Sequence, residues 1–360
     1  MKILSYIALS IAAMLPLNTA AQSTRAFTAT RANEYALVYS LPTTAVDITI
    51  ETEHVHRVPG EFHNYARRHL AITNAITEES TSVSVRSITI STRGIADTSN
   101  QWQVQFKNGA GVTMLLTADG RPLTINTEKA VAEVQPELPV AQAAAPTPLE
   151  TEAARQAMTQ DMVRSSSISK RAELAAQRIF ELRDMRSDLL SGQSDNPPAD
   201  GQAMQLVLDN LAGQEAALTA MFAGTEQRYT NVRTISFVPD SDEVDRQVIA
   251  RISPYEGILE ADNLAGAPLT LSIQILETGS LPLTEKGEPK RFPANGVAYA
   301  IPGTARISVQ YEGRVIASAD VTLAQLGCVF GIDPGLFTDK KAPATLQFDS
   351  TTGAIIQLAQ

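Results

Sequence analysis

A chain of 360 residues exceeds what one ordinary core organises, so at least two packed units are expected. Its 29 Lys and Arg against 39 Asp and Glu leave a formal charge of −10, which speaks against nucleic acid as a partner. The 44% hydrophobic and 19% charged fractions are those of a folded chain, the 5% aromatics with a single Trp speak against stacking platforms, and one Cys allows no internal disulfide.

The first residues read as an export signal. Lys2 supplies the positive end, residues 3–17 form an apolar run, and Thr19 and Ala21 are the small residues before a cleavage point at Gln22. A signal peptide at 1–21 is therefore expected, its apolar run being too short and wrongly flanked for a membrane anchor. Cys328 is the only cysteine, so no lipid is expected on a first mature residue. No later stretch is apolar for long enough to span a membrane, and the helical character of the middle of the chain is at odds with an outer-membrane barrel. A soluble periplasmic protein is expected, with secretion as the second choice.

Residues 22–130 read as a β-rich domain with a short helix. Val46, Ile48 and Ile50 alternate with Asp47, Thr49 and Glu51, and Trp102, Val104 and Phe106 with Gln101, Gln103 and Gln105, the period of two that gives a strand one buried face. Phe62, Tyr65, Ala66 and His69 take helical spacing after Pro59-Gly60. Between Val85 and Ile88 the apolar positions change parity, which predicts a bulge or a bend. Asn108-Gly109 and Asp119-Gly120 mark turns. Residues 131–150, rich in Pro and Ala, read as a semi-extended linker.

An αα-hairpin is expected over 151–224. Ala175, Ile179, Leu182, Arg186 and Leu189 form the stripe of its first helix, closed by Gly192. Asp200 is the expected cap of the second helix, whose stripe runs from Met204 through Leu218 to Phe222 before Gly224. Counting back from the turn sets Glu215 level with Arg178 as an ion pair. Residues 225–360 return to strands, with a hairpin at Glu312-Gly313 and a final one between Leu346-Phe348 and Ile355-Leu358, and read as a C-terminal β-sandwich. The expected class is α+β, mainly β.

The hairpin run 177–204, with its Pro-Pro-Ala-Asp-Gly turn, resembles a family of secreted Bacteroidota proteins, domain-of-unknown-function family 4831. The segments Tyr39–Pro42, Asn64–Leu70, Ala118–Asn126, Ala298–Val309 and Leu323–Gly327 carry the same resemblance across most of the chain. It implies a Gram-negative envelope setting and a fold of β-domains with a helical hairpin; it brings no activity, cofactor or catalytic residue.

The chemistry-bearing clusters each have a structural reading that is preferred. His54, His56, His63 and His69 are close in sequence, yet His63 and His69 point to different sides of a helix, and Glu51 and Glu53 occupy the strand face opposite His54 and His56, so no metal site is assigned. Asp240, Asp242, Glu243 and Asp245 read as a solvated turn rather than a Ca²⁺ loop, lacking the central Gly and distal Glu. Cys328 lies in an apolar run and reads as core. Arg183 and Arg186, three residues apart on one helix, are expected in intramolecular ion pairs. No catalytic, cofactor-binding or metal-binding residue is assigned. The favoured function is a non-catalytic binding or scaffolding role with protein or envelope-polymer partners. The alternatives are a carboxylate-dependent glycan or peptidoglycan hydrolase and a small-ligand binder between domains.

Overall fold

A computed structural model describes residues 37–104, 106, 111–131, 137–194, 198, 201–240, 242–293, 295–339 and 341–360. The expected signal peptide, the Asn108-Gly109 turn and the Asp200 cap lie outside these residues. With 44% strand and 24% helix the protein is mainly β, of the expected α+β class.

Strand β1 (Leu37–Val58) buries Val46, Ile48 and Ile50 completely, as their alternation requires. A short helical turn and α1 (Ala66–Leu70) follow, with Phe62 and Ala66 buried. Strand β2 (Ser80–Val104) then returns antiparallel to β1. Glu51 faces Ser87 and Thr52 faces Val85, so Arg86 is the extra residue of a bulge, at the place where the apolar parity changes. Strands β3 (Met114–Leu116) and β4 (Pro122–Ile125) are joined through Gly120 at φ 87°.

Among the described residues four α-helices follow where two were expected. The additional pair, α2 (Glu152–Ala157) and α3 (Gln160–Arg164), are of six and five residues, too short to display a periodic stripe. The side chains of Thr151, Thr159 and Ser167 accept the N–H groups of Ala154, Met162 and Lys170, and so cap α2, α3 and α4 (Ile168–Ser191) in turn. Gly192 ends α4 in the left-handed conformation, and Gly224 follows α5 (Gly201–Ala223) in the same way. Glu215 does not meet Arg178. It accepts from Arg183 at 2.7 Å and lies 2.8 Å from Arg186, while Arg178 pairs with Glu181 along its own helix. The two helices are thus offset by more than a turn from the expected register. Their inner faces close a helical core with Phe62, Ile179, Leu182, Leu218 and Phe222.

Strands β5 (Thr225–Phe237), β6 (Val244–Ser253), β7 (Gly257–Leu259), β8 (Ala267–Glu277), β9 (Val297–Tyr311) and β10 (Arg314–Ile332) come next. The β9–β10 turn has Glu312 and Gly313 at φ 49° and 75°, the two positive angles that a tight hairpin between twisted strands needs. Strands β11 (Thr345–Phe348) and β12 (Ile355–Ala359) form the last hairpin.

Among the described residues the strands form three sheets, ordered β2-β1-β5, β10-β9-β8-β6-β7 and β12-β11-β4-β3. The first two pack face to face as a sandwich around Val46, Ile48, Ile50, Leu271, Ile307 and Val309. The sandwich therefore takes one of its layers mostly from residues before the linker, and the small third sheet pairs β4 with β11. Sheet hydrogen bonds cross both expected borders of the 131–150 segment. That segment is itself partly docked: Gln142 takes the Thr230 N–H through its carbonyl and gives its own N–H to the Thr230 hydroxyl.

Candidate functional site

The two long sides of the sandwich differ. On one side β10 packs across β1 and β2 and the layers are stitched shut. Between Leu323 and Cys328 the register of β10 against β9 slips, producing a wide bulge. From this bulge Gln325 reaches β1: its Oε1 accepts the Thr44 N–H at 3.1 Å, and its Nε2 donates to Thr44 O at 2.9 Å and Pro239 O at 3.0 Å. Thr44 Oγ1 accepts the Ala324 N–H and donates to Thr351 O, which ties in the third sheet. The chains approach so closely that a Cβ on Gly327 would collide with the Ile301 carbonyl, and one on Gly303 would lie 2.5 Å from Glu277 O.

The other side is open. Strand β5 packs closely on β1 and makes no comparable contact with β6; its tie across the sandwich is Arg233, which donates to Glu260 beyond β7 at 2.5 Å. The gap is a cleft of about 440 Å³, a size ordinary for ligand sites. Its walls are the half-buried Ile235 and Phe237 of β5 and Val244 and Ile249 of β6, over a floor of buried Leu271 and Ile273. The turn between β5 and β6 sets Asp240 and Asp242 at its mouth. Neighbouring acids are engaged, Glu243 by the Ile275 N–H and Asp245 by Arg246, whereas Asp240 and Asp242 have no ion-pair partner among the described residues. Ser241 lies outside those residues.

The candidates singled out in the sequence disperse. His54 is buried, stacked on Tyr229 at 4.7 Å, and held 3.2 Å from the Thr52 hydroxyl. Burial pushes its pKa below the ordinary 6.5. His56 pairs with Glu79, His63 Nδ1 donates to Gly60 O, and His69 lies among Tyr65 and Phe222. Glu51 accepts from Ser87 and faces Arg86, and Glu53 faces Arg228. Among the described residues no three His, Cys, Asp or Glu converge as metal ligands. Cys328 is half-buried, and desolvation raises its thiol pKa, the direction away from a nucleophilic thiolate.

A carboxylate hydrolase holds one acid protonated near neutral pH by raising its pKa. Among the described residues, each carboxylate whose acidity is shifted is shifted down. Burial raises Asp119, but the hydrogen bonds from Thr117 and Arg121 and the Arg121 charge outweigh it. The Thr147 backbone and hydroxyl lower Glu150, Arg57 and Arg228 lower Glu226, and Arg306 lowers Asp320. Asp240 and Asp242 stand on one turn rather than on facing walls of the cleft. Among the described residues no helix is long and apolar enough to cross a membrane.

The open cleft was not anticipated from the sequence, although the acidic turn 239–245 that closes its end was visible there. Four of the segments that carry the family resemblance, 39–42, 118–126, 298–309 and 323–327, meet at the closed side instead, while Ala66 of 64–70 and Ile179 and Leu182 of the hairpin run sit in the helical core. Tyr39 donates to Ala298 O, Gln325 holds Thr44, Asn126 donates to Phe337 O and Ala344 O, and Arg121 donates to Ser350 O. No curated protein and no solved structure matches the chain. A family profile does match, over residues 35–356, and by that span the chain belongs to the family described as Domain of unknown function (DUF4831).

Proposed function

We propose that this is a non-catalytic binding protein of the bacterial envelope, exported to the periplasm, that engages a protein partner through the open side of its sandwich. One observation carries the reading: a cleft of ligand-site size with an apolar floor opens between β5 and β6, and among the described residues the charges that line it are the carboxylates of Asp240 and Asp242 at the mouth. Among the described residues no three His, Cys, Asp or Glu converge at the cleft as metal ligands. The acidity of Asp240 and Asp242, on a chain of formal charge −10, favours a partner with basic residues.

The test is in-cell crosslinking with a photoreactive side chain at Phe237 and, separately, at the exposed Lys286 of the β8–β9 connection. The reading predicts a stoichiometric product from position 237 and none from 286. The same products from both positions, or free chain from both, would contradict it.

A further inference from the structure

Strand β5 is the last strand of its sheet, so alternate residues turn their N–H and C=O groups outward. Thr230 identifies which ones. Its N–H leaves the sheet to reach Gln142 O, and the β1–β5 register runs without a slip from Val46-Phe237 to Val58-Thr225. Val232, Thr234 and Ser236 therefore present the same outward groups, and no strand among the described residues pairs with them. The facing edge of β6 is different. Its register slips twice between Val244 and Ala250, Arg246 sits at φ 49°, and β7 covers it only from Arg251 to Ser253. Bulges of that kind blunt an edge against pairing, whereas the upper edge of β5 is regular.

We infer that the partner segment is an extended peptide that adds to the 232–236 edge of β5 as a further antiparallel strand. Its inward side chains, at alternate positions, fill the cleft over Leu271 and Ile273. The chain sets the precedent at Thr230, where its own Gln142 already occupies the lower part of this edge, running antiparallel towards Ala145, which receives Gln227. An antiparallel strand above it starts at the 238–243 turn. The peptide therefore carries Lys or Arg at its N-terminal end, against Asp240 and Asp242. This assignment rests on the binding reading above and specifies its partner.

The probe is acetylated Lys-Lys-Val-Thr-Val-Thr-Val-Thr, with the peptide carrying Glu-Glu in place of Lys-Lys as its control. Binding to the full chain is followed by fluorescence anisotropy, and amide exchange is followed by NMR. The lysine peptide is expected to bind about tenfold more tightly than the control at low salt and to slow exchange at Val232, Thr234 and Ser236. Ser236→Pro removes an outward donor that β1 does not use, and abolishes binding. Asp240→Asn with Asp242→Asn, both at exposed positions, weakens the lysine peptide about five-fold.

Equal binding of the two peptides, binding that leaves those amides unprotected, or no binding at all would overturn strand addition. A concentration-dependent dimer protecting the same amides without peptide would assign the edge to a second copy of this chain instead. If Phe237 still captures a partner while the amides stay unprotected, the binding reading stands and only the mode of binding falls.

Discussion

The two sides of one sandwich are built to opposite rules. Where β10 meets β1 and β2, a bulge, a glutamine that makes backbone contacts on two segments and glycines at backbone contact join three sheets. Where β5 faces β6, one ion pair, Arg233 with Glu260 beyond β7, bridges the layers beside a gap floored by apolar side chains. Buried polar networks that are fully satisfied fix one arrangement of a core. A strand edge and a cleft with an apolar floor, left uncovered, are costly unless something uses them. The contrast separates the side that holds the fold from the side we assign to binding.

The largest effect belongs to the closed side. Gly327→Ala forces a Cβ onto the Ile301 carbonyl and is expected to cost about 3 kcal/mol in urea unfolding. Gly111→Ala, with open space around it, is expected to stay within about 0.5 kcal/mol. Comparable small losses for both would break the contrast. Gln325→Ala leaves the Thr44 N–H and two carbonyls without their partner and is expected to cost about 2 kcal/mol. Tyr39→Phe removes one buried hydrogen bond to Ala298 O and is expected to cost about 1 kcal/mol. Each of these variants, once folded, keeps its crosslink from position 237.

On the open side the pattern inverts. Reversing both mouth charges, Asp240→Lys with Asp242→Lys, is expected to leave stability within about 0.5 kcal/mol and to eliminate partner capture. A loss of stability equal to that of Gln325→Ala would place the turn among the structural contacts.

The smallest effect is a pH dependence. His54 has a folded pKa below the 6.5 of the unfolded chain, so unfolding takes up a proton between those values. The stability carried by neutral His54 is complete above pH 6.5 and declines as pH falls through 6.5 towards the folded pKa. The melting temperature is expected to fall less for His54→Gln than for the natural protein between about pH 7 and pH 5. Equal falls would show that His54 is not the group responsible.

Local pattern located the elements but not their partners. The parity change at Arg86, the glycines after α4 and α5 and the Glu312-Gly313 turn are all written in adjacent residues, and each appears where expected. A period of two says which face of a strand is buried and nothing about which strand lies beside it. Thr49 pairs with Thr234 and Thr44 with Gln325, 185 and 281 residues apart, so the interleaving of residues 37–125 with 225–360 had no local signal. The cleft stayed hidden for the same reason, because an open side is defined by strands that fail to meet. The Glu215 partner was misplaced because the offset of two helices depends on their connector, which counting residues does not resolve.

The most direct test is residue-resolved amide exchange on the free protein. The account predicts that Thr230, covered by Gln142, and Ala324, held by Thr44, exchange slowly, while Val232, Thr234 and Ser236 exchange quickly. Slow exchange at all five would mean that the β5 edge is already covered, by another part of this chain or by a second copy, and would contradict the assignment of the open side to a partner.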